Sequence, residues 1–345
     1  MITGHNRKLL LSKTTLGFES EGVMNPAVIS NEAGIHLFYR AVASDGCSNI
    51  GYCLLHNATS IAARSAVPVM YPQHSYESEG LEDPRIVMLD DTYVMSYTAY
   101  DGVNAMGAIA LSTDLKSFTK LGIVVPTLSY HRFAHLASMA GALNEKYKRF
   151  NLPHHASERE TGQEWVWDKN LVCFPRRIDG KLVFLHRIKP DIQLAMIDQW
   201  SDLTEQFWDE YLLRLHEHIF MAPRYRHEVS YLGAGCPPIE TPEGWLLIYH
   251  GVHDTPDGYV YVACAALLHL EAPFTERARL PYALFKPEAD WELHGTVNNV
   301  CFPTGSLVVD DELTIYYGAA DQHIGCISFH LPTLIKELLL YAIPH

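Results

Sequence analysis

Apolar residues in this chain come in short runs that stop at Gly, Asp, Asn or Pro, and the runs recur in one order. Each copy opens with a proline-marked segment, turns, and continues as an apolar run ending in aromatic and polar residues. The first reads Asn25-Pro26-Ala-Val-Ile29 and then Ile35-His-Leu-Phe-Tyr-Arg40. The second is Glu82-Asp83-Pro84-Arg85-Ile-Val87 with Tyr93-Val-Met-Ser-Tyr97, and the third Cys173-Phe-Pro175 with Lys181-Leu-Val-Phe-Leu-His-Arg187. The fourth is Gly235-Cys-Pro-Pro238-Ile239 with Trp245-Leu-Leu-Ile-Tyr-His250, and the fifth Cys301-Phe-Pro303 with Leu313-Thr-Ile-Tyr-Tyr317. A third apolar segment follows every copy: 50–55, 108–112, 192–197, 260–268 and 324–329. Such runs are strand signals, and Asn31-Glu-Ala-Gly34 or Thr241-Pro-Glu-Gly244 have the composition of hairpin turns. Five units of three or four strands cannot bury their faces alone, and radial stacking solves this while leaving only short edges. The pattern therefore predicts an all-β fold, a five-bladed β-propeller. It forms one domain over 1–345, with blades led by strands near 25, 83, 173, 236 and 301. A parallel α/β sheet is disfavoured, because no amphipathic helix separates the strands.

Three segments interrupt the pattern. An insertion at about 130–168 carries His131, Arg132, His135, His154, His155, Arg159, Trp165 and Trp167, and its stretch 133–147 has helical composition. The segment 200–226 predicts a short amphipathic helix from Leu212, Leu213 and Leu215. A C-terminal helix is expected over 331–341, with Pro332 in its first turn. Insertions in repeat folds map to loops on one face, often the binding face.

Composition narrows the function. The 345 residues include 26 Lys and Arg against 40 Asp and Glu, a formal charge of −14. That balance disfavours nucleic-acid binding, which draws its affinity from basic phosphate contacts. No run reaches the apolar length of a membrane span, and the N-terminal run 9–11 is too short for a signal-peptide core, so a cytoplasmic protein is expected. The seven cysteines are scattered without a CxxC pair, which reads as buried reduced thiols rather than a zinc or redox site. His154-His155 lacks metal-ligand spacing, and no protein-bound metal is expected. No Walker loop or dinucleotide fingerprint is present.

The candidate chemistry lies at equivalent ends of the repeats. Asn25, Asp83, Lys169-Asn170 and Asn298-Asn299 open the first strands, and Arg40, His186-Arg187, His250 and Asp321 end or follow the second. Asp83, in Gly80-Leu-Glu-Asp-Pro-Arg85, suits a general acid, with Arg85 or Glu82 setting its environment. In a regular strand Glu82 and Asp83 face opposite ways, so one at most is catalytic. Lys169, Arg176, Arg177, His186, Arg187, His250 and Tyr261 offer the donors that a phosphate requires. For each of these alone, a solvated charge or a satisfied core residue is the plainer reading.

Taken in order, several motifs resemble glycoside hydrolase family 130, the β-mannoside phosphorylases and related mannosidases. They are Gly80-Leu-Glu-Asp-Pro-Arg85, Tyr97-Thr-Ala-Tyr-Asp-Gly102, Phe174-Pro175 with Leu185-His-Arg187, Gly233-Ala-Gly-Cys-Pro-Pro-Ile239, Gly244-Trp-Leu-Leu-Ile-Tyr-His-Gly-Val252 and Tyr316-Tyr-Gly-Ala-Ala-Asp321. The resemblance runs from about Asn25 to Phe329 and implies a five-bladed propeller. It implies that Asp83 protonates the glycosidic oxygen through a sugar hydroxyl. Phosphate then attacks from the opposite face with inversion, giving α-mannose 1-phosphate. Phosphate is already an anionic nucleophile, so no second catalytic carboxylate is needed to activate it. By similarity Asn25, Arg40 and Asp321, with Arg85 and His186, fall on the substrate side, and Lys169, His250, Tyr261 and Arg187 on the phosphate side. Inorganic phosphate is then a co-substrate, no cofactor is expected, and homo-oligomers occur in the family.

The chain departs from the family's phosphorylases at Phe174-Pro-Arg-Arg177, at His186-Arg-Ile188, at Cys236 and in the insertion before Lys169. These departures bear on linkage, acceptor sugar and subfamily and leave Asp83 untouched. Two other readings stay open. One is hydrolysis, with Glu228 as a base. The other is a non-catalytic sugar-binding propeller, which keeps Arg40 and the aromatics and has no need of Asp83.

Overall fold

The alternation read from the sequence becomes strands with both faces covered. In the computed structural model, which describes residues 2–139, 143–152 and 164–343, the chain opens with β1 (His5–Leu11). Unit one follows as β2 (Gly22–Asn31), β3 (Gly34–Val42), β4 (Ser48–Asn57) and β5 (Ser60–Arg64). Unit two is β6 (Gly80–Leu89), β7 (Thr92–Tyr100), β8 (Ala105–Ser112) and β9 (Thr119–Ile123). Helices α1 (Tyr130–Met139) and α2 (Lys146–Phe150) precede unit three: β10 (Lys169–Cys173), β11 (Leu182–Arg187), β12 (Ile192–Ile197), helices α3 (Glu205–Leu213) and α4 (Leu215–His218), then β13 (Ile219–Met221). Unit four is β14 (Tyr231–Ala234), β15 (Ile239–Thr241), β16 (Gly244–Thr255), β17 (Gly258–Leu268) and β18 (Glu276–Arg279). After α5 (Asp290–Leu293) come β19 (Cys301–Val309), β20 (Glu312–Ala319), β21 (His323–His330) and α6 (Leu331–Leu339).

Within each unit neighbouring strands pair antiparallel in chain order, except that β14 and β15 of unit four both pair with β16, and β1 pairs with β21 as the outer strand of unit five. Five buried apolar clusters lie between consecutive units. Strand alternation assigns each residue to one of them: in β16, Trp245, Leu247 and Tyr249 pack toward unit three, while Leu246 and Ile248 pack toward unit five. The remaining clusters join units one and two, two and three, and five and one. Polar links follow the same order. Asn25 Nδ2 donates to Asp83, Ser96 Oγ to the Leu171 carbonyl, Leu232 N to the Pro190 carbonyl, Cys236 Sγ to the Gly305 carbonyl, and Thr304 Oγ1 to the Pro26 carbonyl.

The expected five strand groups are present, and all-β architecture holds with few helices. The C-terminal helix begins as expected with Pro332 in its first turn. The segment 133–147 forms two helices, α1 and α2, rather than one, and residues 140–142 between them, like His154, His155 and Arg159, fall outside the described residues. The prolines are not equivalent, as their spacing had suggested. Pro26 and Pro84 sit at register shifts inside β2 and β6, and Pro303 at one in β19, whereas Pro175 and Pro238 follow β10 and β14. Pro has no N–H, so it tolerates both a bulge and a strand end.

One device recurs in four units. A buried glutamate in a short helical turn accepts a tyrosine hydroxyl from the unit's second long strand and pairs with a cation from its outer strand. Glu19 takes Tyr39 at 2.7 Å and Arg64 at 2.8 Å, and Glu77 takes Tyr97 at 3.0 Å and Lys120. Glu228 takes Tyr249 at 2.9 Å and Arg279 at 3.0 Å, and Glu292 takes Tyr317 at 2.6 Å and Arg7 at 3.1 Å. In unit three His186 occupies the tyrosine's place, bonding Asp168 at 2.7 Å and Tyr211 of α3 at 2.8 Å.

Candidate active site

The site begins with a backbone feature. Asn25, Asp83 and Asn170 have φ of 50°, 50° and 58°, and each lies at a register shift of its strand, β2, β6 or β10. Asn and Asp tolerate this left-handed conformation best among residues with a Cβ, and a bulge re-aims its side chain. The bulge explains a departure from simple alternation: Glu82 and Asp83 line the same cavity rather than opposite faces.

That cavity, of about 230 Å³, is lined by Asn25, Arg40, Glu82, Asp83, Trp167, Lys169, Asn170, Arg187, Lys189, Tyr231, Tyr261, Phe302 and Asp321, with Val297 and Val300. Its carboxylate side is held tightly. Asp83, 6% exposed, accepts from Asn25 Nδ2 at 2.6 Å and lies 3.9 Å from Arg40. Arg40 pairs with Glu82 at 2.7 Å and donates to Ser48 Oγ at 2.9 Å. Burial raises the Asp83 pKa, but Arg40, Arg85, Lys169 and the Asn25 bond outweigh it and hold the carboxyl below its ordinary value. Asp321 behaves oppositely: burial lifts it to about 6 against the pull of Arg40, with the Asp83 charge adding to the rise. Gly318 makes this arrangement feasible, since a Cβ there would lie 1.8 Å from Asn25 Oδ1.

Three cations line the same cavity. Neither Lys169 nor Lys189 forms an ion pair among the described residues, and Arg187 Nε is buried without a hydrogen-bond partner. Lys189 sits over the Tyr231 ring at 4.2 Å and Arg187 over the same ring at 5.4 Å. Burial, then Arg187 and Lys169, push the Lys189 pKa down to about 6. Tyr261 and Tyr231 share a 2.5 Å hydroxyl contact at the rim, and both side-chain polar atoms of Asn170 are buried without partners. Arg187 is buried and the two lysines are half-buried, with no carboxylate in ion-pair contact among the described residues; cations withdrawn from water in this way are costly, and an anion repays that cost. The site can therefore offer a carboxyl group as acid or base and hold an anion within the same cavity.

Seven of the ten residues expected at the site line this cavity: Asn25, Arg40, Asp83, Lys169, Arg187, Tyr261 and Asp321. Three do not, and each has a physical reason. Arg85 lies behind Asp83, donating to the Asp83 carbonyl at 2.8 Å and the Gly235 carbonyl at 3.1 Å, with its guanidinium over Phe302. His186 is fully buried with both ring nitrogens engaged by Asp168 and Tyr211, on the strand face away from the cavity. His250 is fully buried against Phe302, and its Nε2 lies 3.2 Å from an Arg187 nitrogen that can only donate. Burial and the neighbouring cations hold this imidazole neutral, so it supports Arg187 from below. Gly233 admits that packing, since a Cβ there would meet Asn170 and His250 at 2.5 Å. Arg176 and Arg177 lie elsewhere, paired with Glu240 and Asp90.

Glu82, expected to set the environment of Asp83, and Trp167 of the insertion both line the cavity, whereas Lys189 and Tyr231 are not singled out by the sequence. Lys189 before Pro190 reads as a loop charge, and only the fold brings it beside Arg187. The insertion contributes more than expected: Phe150 packs edge-on to Tyr231, and Asn151 Nδ2 donates to the Lys189 carbonyl at 2.9 Å. Glu228 is not a base in the cavity. It is fully buried and engaged by Arg279, Tyr249 and the backbone N–H groups of Arg224 and Tyr225. His227, Glu228 and Cys264 cluster closely enough for a metal, but the same bonds occupy Glu228.

The Lys189 value gives a test. An anion binds the charged form, so above about pH 6 its binding takes up a proton. Sulfate stays a dianion across this range, and its affinity is expected to fall as pH rises past 6, by up to about tenfold per unit. Lys189→Met should flatten that slope in calorimetric titrations, and a flat profile in the unsubstituted protein would contradict the assignment.

Comparison with known proteins identifies the family. A glycoside hydrolase family 130 model, described as beta-1,4-mannooligosaccharide phosphorylase, matches residues 18–338. A 1,2-beta-oligomannan phosphorylase of Thermoanaerobacter sp. (strain X514) is 32% identical over 330 residues, covering 93% of this chain and 94% of its own. A beta-1,4-mannooligosaccharide phosphorylase of Ruminococcus albus is 36% identical over 183 residues, 52% of each chain. Among solved structures, the beta-1,2-mannobiose phosphorylase of Listeria innocua superposes with a TM-score of 0.72 at 20% identity, covering 98% of this chain and 99% of that one. With its motifs in order and nearly its whole length matched, the chain belongs to glycoside hydrolase family 130.

Proposed function

We propose that this protein carries out inverting phosphorolysis of β-mannosides, giving α-mannose 1-phosphate and a shortened sugar. The observation that carries the reading is a cavity that joins a buried Asp83 beside Arg40 to three cations, Lys169, Arg187 and Lys189, with no carboxylate in ion-pair contact among the described residues. The relatives named as oligomannan and mannooligosaccharide phosphorylases support it. Asn25, Arg40 and Asp321 hold the mannosyl unit, and Asp83 delivers a proton to the departing oxygen through a sugar hydroxyl. The three cations and Tyr261 place inorganic phosphate, the co-substrate, at the opposite face of the anomeric carbon. No cofactor enters this reaction.

Asp83 is ionised in the empty site, because Lys169 and two arginines outweigh burial. A phosphate dianion beside Lys169 cancels part of that field, and a bound sugar removes water. Both changes raise the Asp83 pKa, so the acid acquires its proton only when both substrates are in place.

The five units fit a single domain in which each is one blade of a five-bladed β-propeller. Support comes from the apolar clusters between consecutive units and from β1 completing unit five. The first strands then surround the site, which accounts for Asn25, Asp83 and Asn170 converging. Seven unpaired cysteines fit a reducing, cytoplasmic setting.

The test is reaction of β-1,2-, β-1,3- and β-1,4-mannobiose with and without inorganic phosphate. Mannose 1-phosphate formed only with phosphate is expected. Free mannose at equal rates in both tubes would overturn the reading and make Asp321 the candidate base.

A further inference from the structure

Four units use a glutamate, a tyrosine and an Arg or Lys as a buried clamp, and unit three alone replaces all three. Its carboxylate is Asp168, its ring is His186 and its phenol is Tyr211, delivered by a helix rather than by the unit's own strands. The position of this substitute matters. In the other units the glutamate lies in a helical turn ahead of the first strand. Asp168 instead directly precedes Lys169, and His186 directly precedes Arg187.

Neighbouring strand residues face opposite ways. Asp168 and His186 therefore point away from the cavity while Lys169 and Arg187 point into it. Asp168 is pinned on three sides. Its carbonyl accepts from Gly107 N at 2.7 Å, its N–H donates to Ala105, and its Oδ1 accepts the Arg187 backbone N–H at 3.2 Å. Tyr211 closes the far end, with its hydroxyl 2.8 Å from His186 Nε2 and 3.0 Å from the Leu194 carbonyl. Lys169 and Arg187 also pair across β10 and β11.

We propose that Asp168, His186 and Tyr211 are positioning residues, a buried strut that sets the separation of Lys169 and Arg187 and so tunes affinity for the phosphate rather than for the sugar. This rests on the phosphorolytic reading above. In unit one the clamp's Tyr39 also precedes a cavity residue, Arg40, but its carboxylate, Glu19, lies in a separate turn. In unit three the carboxylate and the ring both adjoin cavity cations, Lys169 and Arg187, by single peptide bonds.

Tyr211→Phe removes one hydroxyl and keeps the ring. Tyr97→Phe, in the clamp of unit two, removes an equivalent hydroxyl with no phosphate-side neighbour. Calorimetry with inorganic phosphate, and separately with a β-mannobiose that the unsubstituted protein binds, reads the two sites apart. Tyr211→Phe is expected to weaken phosphate binding about 3- to 10-fold, the equivalent of one buried hydrogen bond, and to leave mannobiose binding within about twofold. Tyr97→Phe should lower the melting temperature and leave phosphate binding unchanged. Equal effects of the two variants on phosphate, or equal effects of Tyr211→Phe on both ligands, would overturn the strut. His186→Gln tests its centre by the same criteria should Tyr211→Phe not fold. Because phosphate binding is read without turnover, the two readings can fail separately. Absence of mannose 1-phosphate from a protein that binds phosphate defeats the phosphorolytic reading, whereas unaltered phosphate binding in Tyr211→Phe defeats the strut.

Discussion

Asp83→Asn is expected to lower kcat on β-mannobiose by about 10²- to 10⁴-fold, the range that a positioned general acid supplies. The substitution keeps the size of the side chain and an acceptor for Asn25 Nδ2, which now bonds Asp83 at 2.6 Å. Sugar binding should therefore survive. A 2,4-dinitrophenyl β-mannoside separates acid catalysis from site damage, because its leaving group departs without a proton. On that substrate, with phosphate present, Asp83→Asn should lose far less. Equal loss on both substrates would mean that Asp83 only organises Arg40 and Asn25. The variant also leaves Arg40, Arg85 and Lys169 facing a neutral group, so its melting temperature should fall at neutral pH. Asp83 is held below its ordinary pKa, so the stability it contributes is present above the unfolded value and is lost as pH falls through the folded one. The difference between the two proteins should shrink in acid.

The second large effect lies outside the cavity. Arg279→Met is expected to cost about 3–5 kcal/mol of unfolding free energy in denaturant titrations, since it leaves Glu228 buried without its cation. Glu228→Gln combined with Arg279→Met should recover part of that loss, because neither charge then remains. A cost below about 1 kcal/mol for Arg279→Met would place this pair with surface ion pairs instead. Glu228→Gln should retain phosphate-dependent turnover per folded molecule. Loss of turnover without loss of fold would return Glu228 to the list of bases.

The strand groups were legible because both faces of each inner strand are buried. Runs such as Trp245 to Tyr249 stand out, and Gly, Asp and Pro punctuate them. The clamps were not legible, because their parts come from three separate elements of each unit. One signal was available: Phe18-Glu-Ser-Glu-Gly22 and Tyr76-Glu-Ser-Glu-Gly80 repeat ahead of Asn25-Pro26 and Asp83-Pro84 and carry Glu19 and Glu77. β1 gave no such signal, since its place in unit five depends on pairing with β21 at the other end of the chain. At the site, motif residues with charge were found readily. What could not be read was facing. His186 and Arg187 are neighbours in one motif, yet one faces the core and the other the cavity. Glu82 and Asp83 broke the alternation rule because Asp83 has a φ of 50°.

The most direct measurement follows the reaction of a β-mannobiose with inorganic phosphate by ³¹P and ¹H NMR from its first minutes. The expected result is α-mannose 1-phosphate as the initial product, one per mannosyl bond broken, with no free mannose from that half of the substrate and no reaction without phosphate. Free mannose formed independently of phosphate, or a β-configured phosphate ester as the initial product, would contradict the joint assignment of Asp83 as acid and of Lys169, Arg187 and Lys189 as the phosphate's ligands.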